Sequence, residues 1–291
     1  MNSGIFLEPK EGPTSLEASR IVILPAPYER STSYGRGTAN GPGAIIQASH
    51  QVEEYDQRLK KESSRAGIHT TLPVKDDPSL EPEGYLKLLQ KEASRYLDLG
   101  KYVVALGGEH TISLALWRAH QERFPDLGIL QLDAHADLRE SYQGTPYSHA
   151  SVMRRIIECR PRAAVAVGIR SLVAEEAAIY EKGDVILVNA ETVVRDQYWI
   201  AKALAPLPEN VYLTIDADSF DPSVVPAVGT PEPGGLSWFQ MIELLDRLTK
   251  ARRVVGFDLV ELSPDKNLFY ADYACAKLVY LLIGMVLERN S

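Results

Sequence analysis

One short segment places three side chains that bind hard metal ions at alternate positions. The hexapeptide LDAHAD at 132–137 carries Asp133, His135 and Asp137, and it directly follows the apolar run 127–132. In an extended chain alternate side chains point to the same side, so these three can converge on one cation. A motif of this kind on its own is more often a solvated turn, so its meaning depends on what else the chain supplies.

Two further segments supply ligands of the same type. Asp216 and Asp218 follow the apolar run 211–215, and His110 follows the apolar run 102–106. Ligands of open α/β sheets bind beyond the carboxyl ends of the strands. We therefore expect all six side chains, four carboxylates and two imidazoles, to meet at one edge of a sheet.

Four clustered carboxylates would repel one another or take up protons unless cations lay between them. We therefore predict two divalent ions. The predicted ligands of the first ion are His110, Asp133, Asp137 and Asp216, and those of the second are His135, Asp133, Asp216 and Asp218. Asp133 and Asp216 would bridge ions about 3.5–4 Å apart, the spacing of two-metal hydrolytic sites. This mixture of oxygen and imidazole favours manganese, with iron, cobalt and nickel as alternatives.

These ligands need strands that end together, and the sequence predicts such strands. Short runs rich in Val and Ile are typical of strands buried on both faces of a parallel sheet. They occupy 21–24, 102–106, 127–132, 163–169, 185–188, 211–215 and 254–260. Helix-like segments alternate with them at 82–99, 111–124, 150–159, 175–182 and 238–250, and a C-terminal helix is expected at 271–287. This alternation predicts an α/β fold with a mainly parallel sheet, in one domain over 1–291.

Two glycine-rich stretches lie outside these elements. Residues 34–38 (YGRGT) lack the Lys of a phosphate-binding loop and predict a turn that leads into a helix at 42–48. Residues 222–235 come directly after a candidate ligand and are rich in Pro and Gly, which predicts a shaped active-site loop rather than a domain boundary.

The bulk composition narrows the class of protein. The hydrophobic content of 45% and charged content of 24% are ordinary for a soluble enzyme, and the net charge of −8 argues against a nucleic-acid partner. Cys159 and Cys275, the only cysteines, indicate a reducing compartment. We find no secretory signal and expect no apolar window long enough to cross a bilayer, so we predict a cytoplasmic protein without a membrane partner.

Together the motifs resemble those of the ureohydrolases, the family of arginase and agmatinase. The matching segments are GGEH at 107–110, DAHAD at 133–137, DADSFDP at 216–222, GTPEPGG at 229–235 and GFDLVELSP at 256–264. All six metal-ligand positions of the family are filled. The resemblance implies a three-layer α/β/α sandwich with a mainly parallel eight-stranded sheet, two Mn²⁺ per chain, and a homo-oligomer that is a trimer or a hexamer.

The resemblance also implies a reaction and residue roles. Water activated between the two ions attacks a guanidinium carbon, and urea and an amine are released. Asp137 holds that water and relays its proton, Glu261 pairs with the guanidinium nitrogens, and His149 shuttles protons. Thr230 joins His149 and Glu261 in binding substrate. We expect His149 to be an exposed loop residue with the usual histidine pKa of about 6.5, which suits a proton shuttle.

Two positions bear on the substrate. Arginases carry a carboxylate shortly after a Gly-Ile-Arg type of turn and an Asn just after the Asp-x-His-x-Asp motif, where this chain has Val173 and Arg139. Losing both contacts argues against free arginine, because an unpaired α-ammonium would be poorly accommodated. Residues 137–155 resemble the agmatinase branch instead.

For that branch we predict hydrolysis of agmatine, a small cationic guanidino compound, to putrescine and urea. N1-aminopropylagmatine, which gives spermidine, is the alternative, followed by other guanidino substrates such as guanidinobutyrate or arginine. An acidic patch at the mouth of the cleft is expected for either polyamine. A deacetylase-like amide hydrolase and a non-catalytic homologue are the hypotheses outside this class.

Overall fold

The structure is a computed structural model that describes residues 4–289. Its strands are β1 (Ile21–Ala26), β2 (Tyr55–Asp56), β3 (Lys61–Glu62), β4 (Ile68–Thr70), β5 (Tyr102–Gly107), β6 (Gly128–Leu132), β7 (Ala164–Val167), β8 (Ile186–Val188), β9 (Asn210–Asp216) and β10 (Arg253–Val260). Eight of them form one parallel sheet in the order β4-β1-β5-β10-β9-β6-β7-β8. The short β2 and β3 pair antiparallel outside that sheet.

Each apolar run predicted to be a strand forms one, because the sheet is buried on both faces. In β5, Val104 and Leu106 contact the core on one face, while Val103 and Ala105 contact the core on the other. A strand with two apolar surroundings has no polar face, so its sequence reads as a continuous run of apolar residues. The parallel sheet predicted from these runs is confirmed.

Helices cover both faces of the sheet and complete three layers. One layer contains α1 (Gly41–Ser49), α6 (Ala190–Arg195), α7 (Trp199–Leu204), α8 (Trp238–Ala251) and α9 (Tyr270–Arg289). The other contains α2 (Pro82–Asp98), α3 (Ser113–Gln121), α4 (Val152–Glu158) and α5 (Ala174–Lys182). The predicted α/β/α arrangement is confirmed, and each predicted helix lies within a few residues of its expected bounds.

The sequence did not predict β4, which is an outer strand of the sheet, the β2–β3 pair, or helices α6 and α7. Strands β2, β3 and β4 have two or three residues and contain no apolar run, and α6 and α7 have six residues each, which is too few for a period of 3.6 to be visible. Their conformation is set by the neighbours they pair with or pack against.

Helix α9 contradicts one expectation. Within residues 4–289 it is long and apolar enough, by length and composition alone, to cross a membrane, with a mean hydropathy of 1.5 over an 18-residue window. However, 72% of that window is buried inside the protein, where α9 packs against α1 and α8. A helix with apolar neighbours around most of its surface needs an apolar sequence around most of its surface. Packing in the core therefore accounts for its composition.

Candidate metal centre

The four central strands of the sheet, β5, β10, β9 and β6, have their carboxyl ends on the same side of the sheet. His110 begins the short 3-10 turn after β5, Asp133 follows β6, Asp216 ends β9, and Glu261 follows β10. Parallel strands bring their carboxyl ends together, so residues far apart in the chain become neighbours there. The crossover connections thus assemble the cluster that the strand-end positions predicted.

His110 faces three carboxylates. Its Nδ1 atom lies 3.0 Å from Asp133 Oδ2, 3.0 Å from Asp137 Oδ2 and 3.3 Å from Asp216 Oδ2. These separations match those between neighbouring donors around one ion bound at about 2.1 Å. All four side chains are buried, so water does not screen the charges.

A hydroxyl and a buried carboxylate orient the His110 ring from behind. The Thr214 hydroxyl donates to Asp258 Oδ1 at 2.6 Å, and His110 Nε2 lies 2.9 Å from Thr214 Oγ1. Because the one hydroxyl proton of Thr214 is donated to Asp258, Thr214 Oγ1 acts as the acceptor for the N–H of His110 Nε2. In the neutral ring Nδ1 then carries the lone pair, which points at the three carboxylates.

The buried Nδ1 atom of His110 also has no hydrogen-bond partner among the described residues. Burial opposes protonation of His110, yet Asp133, Asp137 and Asp216 raise its pKa well above its ordinary value, because a proton or a metal cation must lie between Nδ1 and the three carboxylates. The donor set therefore fits a divalent ion, as the sequence predicted.

A second group adjoins the first. His135 Nδ1 lies 2.9 Å from Asp218 Oδ2 and 3.8 Å from Asp133 Oδ1. The donor atoms of Asp133, His135 and Asp218 lie within 4.8 Å of one another, as do those of His110, Asp133 and Asp216. Asp133 thus belongs to both groups. Asp216 belongs to the first group and not to the second, and its Oδ1 atom accepts the backbone N–H of Asp218 at 2.9 Å. The bridging role expected of Asp216 therefore stays a prediction.

Two of the candidate residues have a strained backbone. Asp137 has φ of 54° and Glu261 has φ of 62°, in the left-handed region that residues with a side chain adopt at a cost of about 1–2 kcal/mol. Glu176 holds the Asp137 segment, since its two carboxylate oxygens accept the backbone N–H groups of Leu138 at 2.9 Å and Val173 at 2.8 Å. The strained turn aims the Asp137 carboxylate back at His110.

Burial and mutual repulsion shift the acid–base equilibria of the cluster. Burial and the charge of Asp133 raise the pKa of Asp137 to about 7. Burial and the charges of Asp218 and Asp133 raise the pKa of Asp216 well above its ordinary value. Burial opposes protonation of His135, yet its hydrogen bond to Asp218 raises its pKa to about 10. Without metal the cluster therefore holds extra protons.

These shifts predict that metal stabilises the protein more as the pH rises. The native metal-free protein binds more protons at Asp137 and His135 than the unfolded chain does, so it loses stability as the pH rises through about 7 and on towards about 10. Metal displaces those protons, so its binding tightens over the same range. We expect the difference in Tm between metal-loaded and metal-free protein to grow steadily between about pH 5.5 and pH 8. A constant difference would contradict protonated ligands.

His149 lies at the start of the 3-10 turn His149–Ser151 and lines the cleft above the cluster. It is half-buried: its ring nitrogens contact Ser31 and Ser33, and the ring of Tyr142 packs edge-on against it. Burial and the nearby imidazoles of the cluster lower the pKa of His149 to about 4. The expectation of an exposed residue that titrates near its ordinary pKa was wrong, because segments distant in sequence enclose the ring.

Glu261 and Thr230 line the same cleft as His149. Glu261 is buried, and its Oε1 atom accepts the backbone N–H of His110 at 2.6 Å. Burial and the charge of Glu109 raise the pKa of Glu261 well above its ordinary value. A cationic guest beside Glu261 would offset that cost and favour the carboxylate.

The glycine-rich segment at 34–38 borders this cleft. It leads through a 3-10 turn into α1, as predicted, and its Gly35 N–H donates to Gly229 O at 3.1 Å. A Cβ atom on Gly35 would lie 2.9 Å from the Gly229 Cα atom, so the two loops approach this closely only because both residues are glycines. The loop predicted at 222–235 and the segment at 34–38 together form one wall.

The outer part of the cleft is lined mainly by neutral side chains. Its lining includes Arg139, Tyr142, Ser171, Leu172, Val173 and Glu176. Arg139 lies over the Tyr142 ring, 5.3 Å from its centroid. Among the described residues of this lining, the one carboxylate beyond the metal cluster is Glu176, and both its oxygens accept backbone N–H groups. The acidic patch expected at the mouth is absent from this lining.

The fold and the cluster define a class of enzyme. A family model described as the arginase family matches residues 19–284. The chain therefore belongs to the arginase family and is a ureohydrolase, as its motifs predicted. This family consists of binuclear metal enzymes, in accord with the two adjoining groups of His and Asp.

Particular relatives narrow the comparison. An N(1)-aminopropylagmatine ureohydrolase of Thermus thermophilus is 40% identical over 276 residues, which are 94% of this chain and 93% of that protein. The agmatinase of Pyrococcus horikoshii is 34% identical over 91% of each chain. The agmatine ureohydrolase of Thermoplasma volcanium has a similar structure, with a TM-score of 0.84 and 28% identity over 99% of this chain and 96% of that one.

The structure reveals polar residues that the sequence analysis did not single out. They are Ser31, Ser33, Glu109, Thr214 and Asp258, which contact the imidazoles of His149 and His110 directly or through one hydroxyl. Glu109 and Asp258 lie inside segments already recognised, next to His110 and near Glu261, and that proximity was a usable signal. The two serines carried none.

Proposed function

We propose that this protein hydrolyses the guanidino group of an agmatine-type polyamine and releases urea. The observation that carries the proposal is the pair of His and Asp groups sharing Asp133, next to the buried Glu261 at the floor of one cleft. A dinuclear centre beside a carboxylate suits attack of water on a planar cation. The carboxylate can accept two N–H groups of that cation and orient its carbon.

We propose two Mn²⁺ ions, the first with His110, Asp133, Asp137 and Asp216 and the second with His135, Asp133, Asp216 and Asp218. When bound, divalent ions supply a water of lowered pKa and stabilise negative charge on the reacting atoms. Oxygen-rich donors with some imidazole suit Mn²⁺ better than a softer ion.

We further propose that the protein is cytoplasmic and forms a homo-oligomer, a trimer or a hexamer. Light scattering on a sizing column would measure the mass of the oligomer.

The protein's own residues position the substrate and move protons. Glu261 would accept N–H bonds from the guanidinium group, while the neighbouring Thr230 would contact the same end of the substrate. Asp137 would accept a proton from the attacking water. His149, which is neutral at pH 7 because burial lowers its pKa to about 4, would carry a proton to the departing amine.

The outer cleft bears on which guanidino compound enters. Val173 lines it, and the Glu176 carboxylate is occupied by two backbone N–H groups. The described residues of this lining thus offer no free carboxylate to the α-ammonium of arginine, nor to the ammonium that agmatine carries on the same carbon, so the choice of an agmatine-type substrate is supported by the relatives named for such compounds.

Agmatine and N1-aminopropylagmatine are the two candidates. Relatives at 40% and 36% identity are named for the aminopropyl compound, whereas the agmatinase of Pyrococcus horikoshii is 34% identical, as is a further relative named for the aminopropyl compound. This difference favours the longer substrate slightly.

A urea-release screen on Mn-loaded protein tests the proposal. The compounds are agmatine, N1-aminopropylagmatine, arginine, guanidinobutyrate and formiminoglutamate. We expect kcat/KM for one of the two polyamines to exceed that for arginine by at least about 10²-fold, because the relatives that are 40% and 34% identical are named for those compounds. Preference for arginine would refute the proposed agmatine-type substrate. Inactivity towards all five, in protein that binds two ions, would support a non-catalytic homologue.

A further inference from the structure

The His149 ring is held at both nitrogens by hydroxyl groups. Nδ1 lies 3.1 Å from Ser31 Oγ, and Nε2 lies 3.0 Å from Ser33 Oγ. Ser31 is buried, whereas Ser33 is exposed at the mouth of the cleft. The ring thus turns Nδ1 towards the interior and Nε2 towards the side from which substrate enters. Which nitrogen carries the proton decides whether His149 can accept one on that side.

The hydrogen bonds behind Ser31 decide that question. Glu109 is fully buried, and its Oε2 atom accepts the backbone N–H groups of Arg30 at 2.9 Å and Ser31 at 2.7 Å. Its Oε1 atom accepts the hydroxyls of Ser31 at 2.9 Å and Thr111 at 2.7 Å. A carboxylate with four donors acts only as an acceptor, so the Ser31 hydroxyl proton points at Glu109.

A serine hydroxyl has one proton, and Glu109 takes it. Ser31 Oγ therefore acts only as an acceptor towards His149, from the backbone N–H at 3.1 Å and from Nδ1. Nδ1 then carries the proton of the neutral ring, and Nε2 carries the lone pair.

We propose that Glu109 is a positioning residue that fixes the tautomer of His149 through Ser31. The proposal rests on the proposed function, in which His149 shuttles protons. Nε2 would take up one proton during the reaction and give it to the departing amine, so the ring ends neutral. Glu109 keeps its protonation state throughout, and its negative charge favours the imidazolium that forms between the two transfers.

The Glu109→Gln variant would reverse this chain of hydrogen bonds. The two backbone N–H groups can only donate, so the Gln carbonyl oxygen must take the place of Oε2. The amide NH₂ then takes the place of Oε1 and donates to Ser31, whose own proton turns to His149 Nδ1. The lone pair moves to Nδ1 and the proton to Nε2, without any change in side-chain shape.

Two measurements follow from this reversal. Side-chain ¹⁵N NMR of the protein loaded with a diamagnetic divalent ion, with His149 assigned by its absence in His149→Ala, reports the tautomer. We expect the Nδ1–H form in the natural protein and the Nε2–H form in Glu109→Gln. In the Mn-loaded enzyme we expect kcat to fall by about 10–100-fold, the usual effect of removing a group that orients an imidazole. KM and the number of bound ions should stay within about twofold.

Matched variants separate this role from loss of packing. Ser31→Ala should lose the tautomer preference and most of the activity, and Ser31→Thr, which keeps the hydroxyl, should restore both. Thr111→Val removes another hydrogen bond to Glu109 but leaves the one from Ser31, so it should keep the Nδ1–H form. An Nδ1–H ring in folded Glu109→Gln, or unchanged kcat in that variant, would overturn the proposal. If the natural protein released no urea from any compound, the proposed function would fail, while the tautomer would still test the hydrogen-bond chain.

Discussion

Asp218→Ala is expected to abolish turnover while the protein stays folded. Asp218 Oδ2 lies 2.9 Å from His135 Nδ1, so the variant leaves the second group with too few donors to hold an ion. A catalytic ion contributes several kcal/mol of transition-state stabilisation, so we expect kcat to fall by about 10³-fold or more. Metal analysis after dialysis should give one tightly bound ion per chain instead of two.

Asp98→Ala is the matched control for this variant. Asp98 ends helix α2, is largely exposed and pairs with Arg123, so its loss should change stability by less than about 1 kcal/mol and leave both ions bound. The circular dichroism spectrum of Asp218→Ala should match that of the natural protein, because Asp218 belongs to the polar cluster after β9 rather than to an apolar core. Two retained ions with full activity would refute the ligand assignment.

His149→Ala is expected to lower kcat by about 10²–10⁴-fold, the usual contribution of a positioned acid–base group, with both ions retained. The departing amine would then leave without a proton donor. Adding imidazole to the assay should restore part of the activity, because a small base can enter the space that the ring leaves. Imidazole should not restore Asp218→Ala, which lacks a metal ligand rather than a proton carrier.

His50→Ala serves as the control for the loss of a histidine. His50 follows α1, and its ring contacts the backbone of Ile5 rather than the cleft. Its activity should equal that of the natural protein. A full rate in His149→Ala, or equal rescue by imidazole of both His149→Ala and Asp218→Ala, would remove His149 from the proton path.

The clustering of the His and Asp side chains could be predicted from the sequence because it follows from two local features, the spacing of residues and the ends of strands. Within LDAHAD the spacing of two residues predicted that Asp133, His135 and Asp137 lie on one side of an extended chain. In the structure Asp137 has φ of 54° and its carboxylate lies against His110, whereas His135 lies against Asp218. Buried strands are also recognisable as apolar runs. The residue after each run must lie at the side of the sheet where the parallel strands have their carboxyl ends. That these residues form a single domain over 1–291 stays a prediction.

The environment of His149 was not readable in this way. Its partner Ser31 is 118 residues away in the chain, and Glu109 is 78 residues from Ser31. No period or motif links such positions, since their approach depends on how the three loops after β1, β5 and β6 pack together. The sequence therefore suggested an ordinary exposed histidine, and only packing showed a half-buried ring with a lowered pKa.

The sequence by itself determined the α/β class, the strand ends and the His and Asp side chains that gather beyond those ends, because repeating patterns and short-range spacing act through the local chain. The tertiary structure alone decided the exposure of His149, the direction of its hydrogen bonds and the neutral lining of the outer cleft. Those properties arise from contacts between distant segments. Their energies depend on burial and on partners that no local stretch of sequence contains.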